Sequence, residues 1–254
     1  MRSLLRSLLS VNASSMHIVT KKILYFSYYQ YVKFIQNTTL QSSCTISDGA
    51  HWSRLEGPEP YGSVVSPGKA DDFDSQFIGW PCVVEDGSEY RMYYHTYNPK
   101  IKKFVVGLAI AKDGLLKWTK LGPVFDGGDG DSFDAGGAAR RHVAKVLDGT
   151  YRMWYEGISK DGTHSIGVAT SIDGLKWTRL SDQPVFTASA DVNAWDGGGV
   201  GSPHMIWIPD IRRWRMYYVG TPVLSIGSTS LPASSIGVAE SLDEDGTYFK
   251  RITV

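Results

Sequence analysis

One phrase recurs four times along the chain: Asp-Gly followed within a few residues by an aromatic. The copies are SDGAHWSRL (Asp48, Gly49, Trp52), KDGLLKWTKL (Asp113, Gly114, Trp118), IDGLKWTRL (Asp173, Gly174, Trp177) and EDGTYFKRI (Asp245, Gly246, Phe249). Internal repetition constrains a fold more tightly than composition, because each copy must be one structural unit stacked on the next. Three copies follow a small-residue strand: VGLAIA from Val106, IGVATS from Ile166 and IGVAES from Ile236. Before each lies an aromatic strand: YRMYYHTY from Tyr90, YRMWYEGI from Tyr151 and WRMYYVGT from Trp214. Before that comes another apolar strand: PCVVE from Pro81, HVAKV from His142 and HMIWI from His204.

Each unit therefore reads as four antiparallel strands. Asp86-Gly87 and Asp148-Gly149 join the first strand to the second, and the Asp-Gly before each aromatic joins the third to the fourth. Asp-Gly tolerates the positive φ that two-residue hairpin turns demand. Four strands at a period of roughly 60 to 70 residues is the repeat of a β-propeller blade. One tail near Asp48–Leu55 and three fuller copies predict an all-β propeller of four-stranded blades, incomplete or with a degenerate first blade.

The segment 46–254 is assigned to the blades, and 1–45 to a leader outside them. Residues 1–47 contain no Asp or Glu but hold Arg2, Arg6, Lys21, Lys22 and Lys33 among Ser, Leu and Tyr. That bias reads as an organelle transit peptide or an unstructured leader, although 23–35 also suits a strand pair or short helix. Asn12 and Asn37 head N-x-S/T sequons, relevant to a secreted chain. Acids and bases balance at 26 each, so no basic excess points to nucleic acid. No apolar run is long enough for a transmembrane helix. Cys44 and Cys82 make neither a disulfide framework nor a metal spacing. Neither a cofactor nor a metal is expected; self-association through exposed blade edges is a further expectation.

Features present in every blade belong to the scaffold, so Asp48, Asp113, Asp173 and Asp245 read as turn residues, and Trp52, Trp118 and Trp177 as packing. A second recurring acid precedes each inner strand: Asp74 in FDSQF, Asp134 in FDAGG and Asp196 in WDGGG. These three either converge on a central pocket or cap their own loops. Counting from them, the inner strands begin with Trp80, Arg140 and Ser202, then Pro81, Arg141 and Pro203, then Cys82, His142 and His204. The middle blade breaks the pattern with Arg140 and Arg141, which hold a ligand or bridge to Asp131 or Asp134. At the ends of the second strands His95, Glu156 and Val219 are matched. Glu156 should lie near Arg140, Arg141 and Asp134. It is a candidate proton donor if burial raises its pKa, or a structural ion pair.

The series FD or WD, a Pro-led inner strand, YRMWYEG, IGVATS and DGLKWTRL resembles the five-bladed propeller glycosidases. These are the arabinanase, levansucrase and invertase superfamily, with glycoside hydrolase family 43. The resemblance runs from about Ile46 to Val254. It implies two carboxylates at the mouth of a central funnel, one protonating the leaving oxygen and one attacking or activating water. In many members an Asp directly precedes the inner-strand Pro; here Trp80 and Ser202 stand there, and no acid-Glu motif is recognisable in the last blade. The substitutes are Asp74, Asp134, Asp196 and Glu156. Trp80, His95, Arg140, Arg141, His142 and His204 are the expected carbohydrate contacts. The function implied is a glycosidase-like protein acting on or binding a glycan. The alternative is a non-catalytic binding propeller, or a truncated one needing a partner.

Overall fold

The computed structural model describes residues 54–223 and 233–252, all within the unit that runs from Thr45 to Val254. The leader assigned to 1–45 and the Asp48–Trp52 phrase lie outside these residues. The described chain is all-β, built of antiparallel strands in three consecutive four-stranded meanders. The first is β1 (Gly79–Asp86), β2 (Glu89–Asn98), β3 (Lys103–Ala111) and β4 (Thr119–Phe125). The second is β5 (Gly137–Lys145), β6 (Tyr151–Ile158), β7 (His164–Ser171) and β8 (Thr178–Arg179). The third is β9 (Gly199–Ile208), β10 (Arg213–Thr221), β11 (Ser235–Ser241) and β12 (Phe249–Arg251). One parallel pairing, Phe104 with Gly137, ties the first meander to the second.

The turns follow from the Asp-Gly chemistry. Gly114, Gly174 and Gly246 have φ of 64°, 70° and 67°, which a Cβ would oppose. Asp173 Oδ1 accepts the N–H groups of Leu175 and Lys176 at 2.8 and 2.9 Å. The Trp after the turn staples it, Trp177 Nε1 donating to Gly174 O at 3.2 Å. Trp177 also meets Tyr93 of the first meander edge-on at 5.8 Å, so it packs between units as expected.

The middle strands carry the core on both faces. In β6, Tyr151, Met153 and Tyr155 join a cluster with Val84, Tyr93, Val106 and Leu108 of the first meander. The alternate residue Trp154 joins Ile166, Val168, Trp214, Met216 and Tyr218 in a second cluster with the third meander. This period of two lets one strand serve two interfaces. Each fully buried large side chain there contributes about 2 kcal/mol.

Polar contacts repeat across the joins. Tyr93 Oη donates to Gly174 O at 2.8 Å, and Arg91 Nη1 donates to Asp173 O. One unit on, Trp154 Nε1 donates to Gly246 O at 2.7 Å and Arg152 Nη1 to Asp245 O at 2.8 Å. The Asp-Gly turns of the second and third units thus dock their carbonyls onto an Arg-x-aromatic pair of the preceding unit.

Candidate functional site

The three recurrent aspartates form one arrangement repeated in each meander. Tyr94, Tyr155 and Tyr218 donate their hydroxyls to Asp74, Asp134 and Asp196 at 3.0, 2.7 and 3.0 Å. A cation from the fourth strand closes each group: Lys120 to Asp74 at 2.8 Å, Arg179 to Asp134 at 3.1 Å and Arg251 to Asp196 at 2.8 Å. All three carboxyl groups are essentially buried, and Asp134 is wholly so. Each latch joins an entry loop to the second and fourth strands of its own unit. A carboxylate held this way stands against its neighbours rather than in an open cleft.

The residues that break the repeat meet at the end where β1, β5 and β9 begin. Every inner strand is bulged there: the register shifts between Gly79 and Cys82, between Ala138 and Arg141, and between Gly201 and His204. Bulges re-aim side chains beside functional sites. Trp80 and Ser202 sit in two of these bulges with φ of 49° and 51°, left-handed backbone that bulky residues seldom adopt. Holding such conformations costs about 1 kcal/mol or more each and is concentrated at functional sites.

Glu156 is the hub. It is buried, yet its Oε1 receives Arg140 Nη1 and His164 Nδ1, both at 2.8 Å. Its Oε2 receives the Ser202 backbone N–H at 2.7 Å, a contact from the third unit. A Cβ at Gly201 would strike the same oxygen, so glycine permits this approach. Arg140 also lies over the Trp80 ring, 4.9 Å from its centroid, and His95 stacks on that ring at 4.6 Å. Trp80 is 54% exposed, an indole held in the open by polar neighbours.

The two arginines do not bridge to Asp131 or Asp134 as one reading of the sequence expected. Asp131 is paired with Lys160 and Asp134 with Arg179. Arg141 is buried and donates Nη2 to the carbonyls of Trp80 and Tyr93, while its Nε and Nη1 have no partner among the described residues. His142 and His204 meet edge-on at 5.0 Å across the join of the second and third units. Among the described residues no cluster of His, Cys, Asp and Glu has the arrangement of a metal site.

No family model matches the sequence. Two uncharacterised proteins of Mycobacterium tuberculosis, from strains H37Rv and CDC 1551, are each 30% identical over 138 residues, 52% of this chain and 44% of theirs. A solved glycoside hydrolase superposes with a TM-score of 0.59 at 21% identity, covering 78% of this chain and 61% of that one. Fructan 1-exohydrolase IIa from Cichorium intybus gives 0.57 at 15% identity, over 74% and 33%. A thermostable family-43 glycoside hydrolase gives 0.52 at 19% identity, over 70% and 54%.

This chain shares its all-β, propeller-type fold with these solved structures. The matched region spans less than half of the curated relatives, and less than two thirds of each solved structure.

In this propeller the electrostatics of the mouth run against one expectation from the sequence. Burial alone raises the Glu156 pKa, but the hydrogen bond from His164, the Arg140 charge and the Ser202 N–H outweigh it and hold the carboxyl below its ordinary value. Glu156 is therefore an ionised carboxylate at neutral pH and not a poised proton donor. His95 and His142 are pushed the other way, each down to about 3, first by burial. For His95 the Arg141 and Arg140 charges add to this, and for His142 the neighbouring His204 and Arg141.

A depressed histidine pKa in the fold means that the unfolded chain binds the proton more readily. The neutral rings stabilise the propeller fully above the ordinary value of 6.5, and that contribution falls away as pH drops below it. Stability should fall by on the order of 2 kcal/mol per ring between pH 7 and 5. Urea unfolding of wild type and of His142→Gln across this range checks it. Equal pH slopes in the two proteins would remove His142 from the account.

His164 and the latch partners were not singled out in the sequence, though both left signals. His164 opens β7 where Phe104 stands in the first blade, so it breaks the repeat as Glu156 does. The latch cations recur two residues after the aromatic of each Asp-Gly phrase, as Lys120, Arg179 and Arg251 after Trp118, Trp177 and Phe249.

Proposed function

We propose that this chain is part of a five-bladed-type propeller that holds a glycan where β1, β5 and β9 begin, and that its described residues serve recognition rather than bond cleavage. The observation that carries this reading is how the candidate groups divide. Asp74, Asp134 and Asp196 are spent in latches, whereas Trp80, Arg140 and His164 present an aromatic face, a guanidinium and an imidazole at the strand mouth. An apolar ring flanked by a few convergent polar groups is the usual composition of a small-molecule site. The exposed part of the Trp80 indole offers an apolar surface to a sugar, Arg140 offers N–H donors to its hydroxyls, and His164 offers its second ring nitrogen. Arg141 holds the Trp80 carbonyl and His95 stacks on its ring.

Trp80→Ala is expected to weaken glycan binding about thirtyfold, the loss of an aromatic anchor of about 2 kcal/mol. A glycan array of arabinan, xylan, fructan and mannan oligosaccharides followed by calorimetry on the best ligand measures this. Because the ring is half exposed, unfolding stability should change little. No bound glycan, or unchanged affinity in the variant, counts against the proposal.

A second reading is favoured by the low pKa of Glu156. An ionised carboxylate beside Arg140 and His164 suits the base or nucleophile of a glycosidase, with the acid supplied from outside the described residues. Release of nitrophenol from aryl arabinofuranosides or xylosides, abolished in Glu156→Gln, would favour this reading over recognition alone.

A further inference from the structure

The charges at the strand mouth do not balance. Asp74, Asp134 and Asp196 are each taken by a cation of their own unit, Lys120, Arg179 and Arg251. What remains is Arg140 and Arg141 against the single carboxylate of Glu156, which also serves His164 and the Ser202 N–H. Arg141 decides the balance. It is 6% exposed and lies between the first and second units, where its Nη2 reaches the carbonyls of Trp80 and Tyr93. Among the described residues no carboxylate pairs with it, and its Nε and Nη1 have no partner. Burial pulls its pKa down to about 10, so it keeps its charge at neutral pH. A buried cation without an acid is costly, because its lost hydration is not replaced. In a poorly solvated place its field also reaches further than it would in water.

His95 senses that field. It stacks on the Trp80 ring, and after burial the charges of Arg141 and then Arg140 do most to hold it neutral, with Glu156 opposing them less strongly. The potential beside Trp80 is therefore positive although a carboxylate is close by. Arg140 carries this excess to the surface. Its side chain is 38% exposed, and only its Nη1 makes a hydrogen bond among the described residues, to Glu156. His164 stands beside it, half exposed, with Nδ1 committed to the same carboxylate oxygen. The first unit holds Trp80, His95 and Phe104 where the second holds Arg140, Glu156 and His164. The mouth thus has an aromatic side and a cationic side.

We propose that the ligand of this mouth is an acidic sugar, a uronic acid whose carboxylate binds the outer edge of Arg140 in the field of Arg141. This rests on the glycan reading above and narrows it. The planar carboxylate meets the Nε and Nη2 side of the guanidinium. A hydroxyl of the same ring meets His164 Nε2, and the less polar remainder lies against Trp80. The sugar carboxylate supplies the negative charge that the latches do not spare. A neutral sugar leaves two guanidinium groups facing one carboxylate.

The test is an array of uronate oligosaccharides from galacturonan, glucuronoxylan and alginate, each beside its carboxyl-reduced neutral form, with calorimetry on the best pair. The full chain should bind the acidic member about thirtyfold tighter, the size of one charge-assisted contact. The preference should shrink at high salt, as a screened charge pair does. Arg140→Gln should make the two members bind alike, and Arg141→Met should lower the preference without removing a group that touches the sugar. The ratio of the two affinities is the readout, because a variant that merely loosens the mouth weakens both members together. Equal binding of both members by the full chain overturns the proposal and leaves the glycan reading in place. So does a preference that both variants keep, or binding to neutral arabinan, xylan, fructan or mannan oligosaccharides alone. Absence of binding to every glycan, acidic or neutral, removes the glycan reading and this proposal with it.

Discussion

Asp134→Ala is expected to lower folding stability by about 3 to 5 kcal/mol, the range for removing one partner of a buried ion pair. The change leaves the Arg179 guanidinium without its inner carboxylate and strips the Tyr155 hydroxyl of its acceptor, next to the Phe125 and Phe133 rings packed on Tyr155. Burial pushes the Tyr155 phenol far above its ordinary pKa, so it stays a neutral donor in need of an acceptor. At roughly 2 to 4 °C per kcal/mol for a domain of this size, the melting temperature should drop by about 10 °C. The matched changes at Asp74 and Asp196 should cost less, because Lys120 and Arg251 are more exposed than Arg179 and can regain water. Urea unfolding of the three variants gives the order directly. A loss at Asp134 of under about 1 kcal/mol would show that the latch does not hold the blade.

The second large effect is at Glu156. Glu156→Gln keeps the volume but removes the charge that Arg140 and His164 share. Charge-assisted hydrogen bonds contribute about 1.5 to 3 kcal/mol each, so a loss of about 3 kcal/mol at pH 7 is expected. The sign with pH is fixed by the lowered pKa. The carboxylate stabilises the fold above its unfolded value of 4.5, and that part is lost as pH falls through the lower folded value. The difference between wild type and variant should therefore be constant from pH 7 to about 5 and shrink below 4.5. A difference that persists unchanged down to pH 2 would mean that shape, not charge, holds Ser202 and Arg140. The same variant separates the two functional readings, since recognition should weaken only in part while hydrolysis should vanish.

The scaffold was legible in the sequence because it is periodic. The Asp-Gly turns, the aromatic strands and the small-residue strands each occupy a fixed place in the repeat, and they build β1 to β12. The placement of Glu156 beside Arg140 was legible too, since antiparallel pairing brings the end of one strand to the start of its neighbour. Its pKa was not, because desolvation and charge pull in opposite directions there. Their balance depends on His164 and on the Ser202 N–H of another blade. The aspartates were ambiguous for a related reason. Their partners Tyr155 and Arg179 lie 21 and 45 residues away, and nothing local to FDAGG announces a latch. Trp80 could be marked as irregular, but its left-handed backbone follows from a bulge that only the pairing of β1 with β2 creates.

The latch also sets the order in which this chain acquires structure. Its three parts come from the entry loop, the second strand and the fourth strand, so it cannot close until the whole blade has been made. During synthesis each blade would wait for its final Lys or Arg to emerge and then lock in one step, while the face it offers forward stays wet until the next turn arrives. Folding is thereby vectorial, and hydrogen exchange should resolve it as whole blades opening one at a time rather than as fraying strands.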